Sequence, residues 1–514
     1  MTDTTTRPAE AAGPARRATV RATLLAAPDG TALAADLALP AGPGPFPAVL
    51  IRTPYDRRRH RSELRAWAGR GFAAVSQDVR GRHGSQGSWR PYRDEAGDGG
   101  AALGWIRRQP WSDGRVLASG ASYGAHCALA LADGPERADA VIAAVPALGP
   151  AETAREAGGP ERLYARAGWW AAHGDRPDSD EAALDRALHA DPALLEHLPL
   201  RTLPDRLGRP LPSWPGLWAD HNPYQVPADG VPLLAVGGTH DPFAEDTLRL
   251  WRAWNGPARL LLGPWGHALT ADPGADARPA HKVGLGGLYV AWARAALDGA
   301  LSAGRGGVVG LGCSELWLPA RELCDEPTSY GLAGMKLLRG PAFRADPARP
   351  VRSDRLDVPR TGAPDRCLLV TPPLPRPLDL LGRAAARLRV TADTPCADWV
   401  VRVVAVTVDD TAEPLATGIA RESEPTSGGF REVEVGLGHV ARRLPAGTRL
   451  RVEVAGHHFP AHARNPHTGE DPVTATRLLP SERTVDLGAS ALLLPVVPPR
   501  HLTHAATPHQ ELRR

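Results

Sequence analysis

Lysine is almost missing from this chain: of 60 basic residues, only Lys282 and Lys336 are lysines. The arginines that replace it are interspersed with 57 acids, for a formal net charge of +3. No basic run among them has the look of a nucleic-acid or membrane patch. Cysteine is scarce too. The five, Cys127, Cys313, Cys324, Cys367 and Cys396, are scattered and have no C-x-x-C spacing. That excludes a zinc-ribbon ligand set and a dense disulfide framework. Buried reduced thiols are expected, with one Cys313–Cys324 bridge as the alternative. No apolar run reaches the length of a membrane span. Residues 1–18 contain no apolar core, and Arg16-Arg17 is followed by Ala-Thr-Val-Arg, so neither an export signal nor a twin-arginine signal is read there. The expectation is a cytoplasmic protein with a loose N-terminal tail and neither nucleic acid nor membrane as partner.

What is present is a large, ordinary apolar fraction, 43% of 514 residues, enough for two or three domains. Val20 to Leu25 and Ala32 to Leu39 read as strands about an Asp29-Gly30 turn. Buried-strand runs follow at 47–51, 72–75 and 140–145, with a helix over 94–108 stopped before Pro110. Strands alternating with helices predict a mostly parallel sheet covered on both faces. From 151 to 226 the pattern becomes short helices and a Pro/Trp-rich stretch, which reads as a helical cap inserted into the sheet domain. Strands resume at 231–237 and 258–262, and a closing helix at 288–297 precedes a Gly-rich link at 299–312. Beyond 313, a linker leads into strands with period-2 alternation, clearest in Arg449-Leu-Arg-Val-Glu-Val454. The fold class is therefore α/β: an α/β-hydrolase core over 19–150 and 227–312, the cap at 151–226, and an all-β jelly-roll sandwich within 313–497. Residues 498–514 read as a tail.

The chain is organised around residues 115–133. A short apolar run, Val116-Leu117-Ala118, leads into Gly120-Ala121-Ser122-Tyr123-Gly124, and an Ala/Leu-rich helical segment follows. Strand, G-x-S-x-G turn and helix make a nucleophile elbow. Bulk at position 120 or 124 would meet neighbouring backbone, and the turn lifts the Ser122 hydroxyl clear of the sheet. In this fold an acid and then a histidine follow the serine, each on a loop after a later strand. The strand at 232–236 ends in Gly237-Gly-Thr-His-Asp241, and the strand at 259–262 ends in Gly263-Pro-Trp-Gly-His267. Asp241 thus orients His267, and His267 is the base for Ser122. His240 is a rival base whose ring should point away from the acid, and His126 packs or caps. The oxyanion hole needs two donors: the Tyr123 backbone N–H, and the Tyr55 phenol on the loop after an early strand. Phe243, Trp169 and Trp170 are candidates for an apolar acyl or aryl pocket, with helix packing as the alternative for the two tryptophans.

With these residues in view the chain resembles the cocaine-esterase/NonD group of α/β-hydrolases, within the X-Pro dipeptidyl-peptidase-like superfamily. The matching pieces are Arg52-Thr-Pro-Tyr55-Asp56, Gln77-Asp-Val-Arg-Gly-Arg82, Gln109-Pro-Trp-Ser-Asp-Gly114, the elbow, and the loops ending in Asp241 and His267. In the sandwich, Arg449 to Val454 and Phe459-Pro-Ala-His-Ala-Arg-Asn465 are also similar. The resemblance implies a hydrolase domain, a cap and a jelly roll. It also implies Ser122, His267 and Asp241 as the triad, with Tyr55 and Tyr123 at the oxyanion. Two departures stand out. The residue before the acid is commonly aromatic in the group but is His240 here. Members needing a free substrate amine carry further acids close behind the triad acid, and here those near positions are Phe243 and Ala244, with Glu245-Asp246 beginning one step later.

The expected activity is cleavage of a carboxylic ester, or an activated amide, through an acyl-enzyme with no metal or organic cofactor. A small-molecule ester is the expected partner, and a homodimer is compatible with the reading. The alternatives are an acyltransferase or cyclase using the same triad, an X-Pro dipeptidyl peptidase, and a non-catalytic binding protein.

Overall fold

The computed structural model describes residues 18–358, 361–423, 429–497 and 505–514. All of the expected N-terminal tail except Ala18 lies outside them.

The main sheet begins with a hairpin, β1 (Val20–Ala26) and β2 (Ala32–Ala38), and continues with β3 (Phe46–Thr53), β4 (Ala73–Asp78), β5 (Ser112–Ala121) and β6 (Ala140–Ala144). β7 (Leu233–Gly238) and β8 (Ala258–Gly263) follow the cap. A small ribbon, β9 (Trp265–Gly266) with β10 (Leu269–Pro273), leaves the end of β8, and β11 (Arg305–Gly310) and β12 (Trp317–Pro319) close the sheet. The strand order is β1-β2-β4-β3-β5-β6-β7-β8-β11-β12, parallel from β3 through β8 and β11.

Helices cover both faces, as strands buried on both sides require. These include α1 (Arg61–Ala68), α2 (Glu95–Arg107) and α3 (Tyr123–Leu129). The period of two sorts β3 cleanly. Ala48 and Leu50 pack with Leu103 and Ile106 of α2 and Ala128 of α3. Val49 and Ile51 pack with Leu64 and Trp67 of α1 and with Trp292 of the helix Leu285–Leu297.

Two sequence expectations are corrected here. The Gly-rich stretch at 299–312 is not a link: it contains β11, which pairs with β8, and β12 extends the same sheet past residue 312. Within β11 only Val308 and Val309 are apolar, too short a run to read through the glycines. The C-terminal tail is docked in its described part. Pro508–Glu511 is a helical turn, and Leu512, 1% exposed, packs in the cluster of Trp292 and Trp317. Residues 498–504 of that expected tail lie outside the described residues.

Between β6 and β7 lie α4 (Pro150–Ala154), α5 (Leu163–His173) and further helices at Ala183–Ala190 and Trp214–Ala219. Their core of Leu163, Trp170, Trp214 and Trp218 includes Phe459, Ala463 and Val473 from the C-terminal half. That half is β-rich: two antiparallel sheets share a core in which Leu388, Trp399, Val401, Val452 and Val454 meet. Along Arg449–Ala455, Leu450, Val452 and Val454 point inward as the alternation predicts. Glu453 is also buried, because Arg366 and Arg402 cover it at 3.1 and 2.6 Å. Arg421 bridges Glu161 of the cap region to Asp398 of the β-rich half, and both carboxylates are buried. The cap is thereby held against the β-rich half. All five cysteines are free.

Candidate active site

β5 ends at Ala121, and the chain turns into α3 with Ser122 at φ 57°, ψ −123°. Such a backbone costs a serine about 1–3 kcal/mol, so the surroundings must enforce it. The Ser122 N–H donates to the Ala144 carbonyl at 2.9 Å, and the Ser122 carbonyl accepts from the Ala125 N–H at 3.0 Å. The close approach of strand and helix explains Gly120: a Cβ there would lie 2.1 Å from the Gly124 carbonyl oxygen. At Gly124 an added Cβ would be 3.3 Å from the Arg52 carbonyl, tight rather than prohibitive, so the steric demand expected at both glycines falls mainly on the first. Gly120→Ala is expected to destabilise the protein by at least about 3 kcal/mol, because the obstacle is backbone and cannot rotate away. Urea unfolding of the variant beside wild type measures this.

Asp241 stands in the turn after β7. The Thr239 N–H donates to the Gly263 carbonyl and the His240 N–H to the Trp265 carbonyl, which clamps the acid loop onto the loop after β8. Gly238 permits the approach, since a Cβ there would lie 2.0 Å from the Trp265 oxygen. His267 occupies the bend between β9 and β10, and its Nδ1 lies 2.7 Å from Oδ1 of Asp241. A carboxylate offers only acceptors, so Nδ1 is the donor and Nε2 keeps its lone pair for another proton. The Asp241 side chain is fully buried while the imidazole is 45% exposed, so one side of the pair is fixed and the other is open. His240 turns away, its Nε2 2.7 Å from Asp276, and His126 meets the Leu148 carbonyl.

Tyr55 follows β3, and its oxygen accepts from the Trp169 indole N–H at 3.0 Å. Burial pushes its phenol above the usual range. Hydrogen bonding from Trp169, the Ser122 hydroxyl and the Tyr123 backbone N–H, and the Arg166 charge, pull the other way. A phenol raised in this way stays protonated and able to donate. Beneath the elbow, the Tyr123 side chain donates to Glu95 at 2.7 Å, and Glu95 pairs with buried Arg52 at 3.1 Å. Arg82 donates to the Pro54 carbonyl beside Tyr55 and to the carbonyls of His173 and Asp178, tying this loop to the end of α5.

Ser122, His267, Phe243 and Trp169 line one cavity of about 340 Å³, with Asp241 behind His267. The edge of Phe243 meets the His267 ring at 5.6 Å, and Trp169 stacks on Tyr123 at 5.8 Å. Trp170 is not there, which corrects its assignment to the pocket: it is buried in the cap core and donates to Ser213. Neighbouring residues on a helix point about 100° apart, and here Trp169 faces the cavity while Trp170 faces the cap core. Tyr92, Arg162 and Arg166 also line it and were not singled out from the sequence. The spacing Arg162, Arg166, Trp169, His173 marks one face of α5 and could have suggested them. Among the described residues, no cluster of three or more His, Cys, Asp or Glu is arranged for a metal, and no helix is long and apolar enough to cross a membrane.

Comparison with known proteins gives the following matches. The family described as X-Pro dipeptidyl-peptidase (S15 family) matches residues 29–269, and the X-Pro dipeptidyl-peptidase C-terminal non-catalytic domain matches 266–509. Cocaine esterase of Rhodococcus sp. (strain MB1 Bresler) is 27% identical over 540 aligned residues, covering 86% of this chain and 91% of that protein. Two solved structures share the fold. An aminopeptidase from a marine sediment Thaumarchaeota archaeon has a TM-score of 0.70 and 19% identity, covering 96% of this chain and 99% of that one. An alpha-amino acid ester hydrolase has a TM-score of 0.67 and 19% identity, covering 96% and 98%.

Proposed function

We propose that this chain, which matches the X-Pro dipeptidyl-peptidase (S15 family) over residues 29–269 and the C-terminal non-catalytic domain of such peptidases over 266–509, is a serine hydrolase of that family, an esterase whose acyl-enzyme forms on Ser122. The observation that carries the reading is the shared cavity: Ser122 and His267 line it, Asp241 backs the imidazole at 2.7 Å, and the Tyr55 hydroxyl lies beside the serine. In the first half-reaction Ser122 Oγ leaves its phenol neighbour, gives its proton to Nε2 of His267 and bonds to the acyl carbon. Asp241 holds the ring in the tautomer that can accept that proton. The tetrahedral oxyanion takes the place beside the Tyr55 hydroxyl and the Tyr123 N–H. His267 then protonates the leaving alcohol. In the second half-reaction water, deprotonated by His267, releases the acid and restores Ser122. These steps call for neither metal nor organic cofactor.

Phe243 and Ala244, where an amine-binding site would carry acids, favour an ester over an Xaa-Pro peptide. A panel of p-nitrophenyl esters beside an Xaa-Pro-arylamide tests this, run with and without an added alcohol acceptor. Release of free acid from the esters, with no turnover of the arylamide, is the expected result. Arylamide turnover at comparable kcat/KM would reverse the assignment, and diversion of the acyl group to the acceptor would make the protein an acyltransferase. Tyr55→Phe is expected to lower kcat by about 100- to 1,000-fold with little change in KM, because the lost donor acts on charge that develops only in the transition state. Steady-state kinetics on one ester separates the two constants.

A further inference from the structure

The cavity holds one cation, Arg166, that no acid among the described residues pairs with. Arg166 is 5% exposed, yet among the described residues it makes no ion pair, and its Nε has no hydrogen-bond partner. Its neighbours are the Tyr92 hydroxyl and the face of Trp169, whose ring centre is 5.9 Å from the guanidinium carbon. Burial pushes the Tyr92 phenol well above the usual range, so this neighbour is neutral. Arg162, one turn earlier on the same wall, is different: Glu156 pairs with it at 2.8 Å. The acids that line the cavity, Glu181 and Asp185, are both exposed, and Glu181 is engaged with Arg59 at 3.0 Å. A buried guanidinium without a counter-charge is costly to keep, and its planar fork fits a carboxylate.

We propose that Arg166 anchors a carboxylate carried by the substrate, so that the preferred esters are acidic ones. This rests on the esterase reading above and names the substrate class for that same site. The carboxylate could sit on the acyl group or on the leaving group, and two pairs of esters distinguish them. Hydrogen p-nitrophenyl glutarate against its methyl ester tests the acyl side. 4-Acetoxybenzoate against methyl 4-acetoxybenzoate tests the leaving side. All rates are normalised to the hydroxide-catalysed rate of the same ester.

In one of the two pairs, wild type is expected to favour the acid by about tenfold or more in kcat/KM. Arg166→Met should cut that ratio by a similar factor, and Arg166→Lys should retain part of it. A ratio that stays within twofold between wild type and Arg166→Met, or a neutral preference in both pairs, overturns the proposal. Should Arg166→Met not fold, competitive inhibition of wild type decides: glutarate is expected to inhibit at least tenfold more tightly than glutaramide, and equal inhibition overturns the proposal. Labelling of Ser122 by a fluorophosphonate in the same preparation separates the two claims. With labelling intact and no acid preference, only the carboxylate anchor fails. With neither labelling nor hydrolysis, the esterase reading fails and the anchor with it.

Discussion

Ser122→Ala is expected to lose ester hydrolysis by on the order of 10⁵- to 10⁶-fold in kcat while folding as wild type does. In the proposed mechanism Oγ bonds to the acyl carbon, and Ser122 shares its cavity with His267, whose imidazole Asp241 backs. The hydroxyl contributes nothing to the turn itself. The elbow is held by the Ser122 backbone bonds to Ala144 and Ala125, which alanine keeps at the same positive φ. Thermal unfolding should therefore coincide for the two proteins while their rates on p-nitrophenyl acetate separate. A variant that kept its rate within tenfold of wild type would remove Ser122 from the chemistry.

Asp241→Asn is expected to cost about 10⁴-fold in kcat. The carboxylate accepts from Nδ1 of His267 at 2.7 Å and has no exposed surface, so no solvent can take over its role. An amide turned with its NH₂ toward Nδ1 would stabilise the opposite tautomer, leaving Nε2 protonated and unable to receive the serine proton. Even with its oxygen toward the ring, the amide brings no charge to stabilise the imidazolium. The effect should fall on kcat and leave KM nearly untouched, because Asp241 lies behind His267 and away from the cavity. Steady-state kinetics of the variant checks both constants, and a loss below tenfold would contradict the assigned role.

Much of the fold was legible because its signals are local. β6 is an unbroken apolar run, and β3 and β8 carry apolar runs at 46–51 and 260–262. The period of two in β3 divides its residues between two helical layers, and the elbow is marked by its five letters together with the strand before and the helix after. The acid and the histidine could be placed because each follows such a run directly. β11 and β12 could not be read, since glycine carries most of the first and the second has three residues. The docked C-terminus was equally hidden: Leu512 is one apolar residue in a polar stretch, and what buries it is a sheet face built from distant parts of the chain.

In the candidate site the sequence located Ser122, Asp241 and His267 and two wall residues, Phe243 and Trp169, but not the rest of the wall. Ser122, Asp241 and His267 sit at strand ends, where topology alone says what they face. Whether Trp169 or Trp170 faces the cavity depends on how α5 is rotated about its axis, and that rotation is set by Phe459, Trp214 and other residues far away in sequence. Arg166 shows the same limit. An arginine on a helix reads as a solvated charge until the burial around it is known. The Glu95–Arg52 pair under Tyr123 joins residues with no motif between them.

The relay among Ser122, His267 and Asp241 is tested most directly by following fluorophosphonate labelling and mapping the modified peptide by mass spectrometry. The account predicts one adduct, on Ser122, forming orders of magnitude more slowly in His267→Ala. An adduct on another residue, or one on Ser122 that forms equally fast without the imidazole, would contradict it.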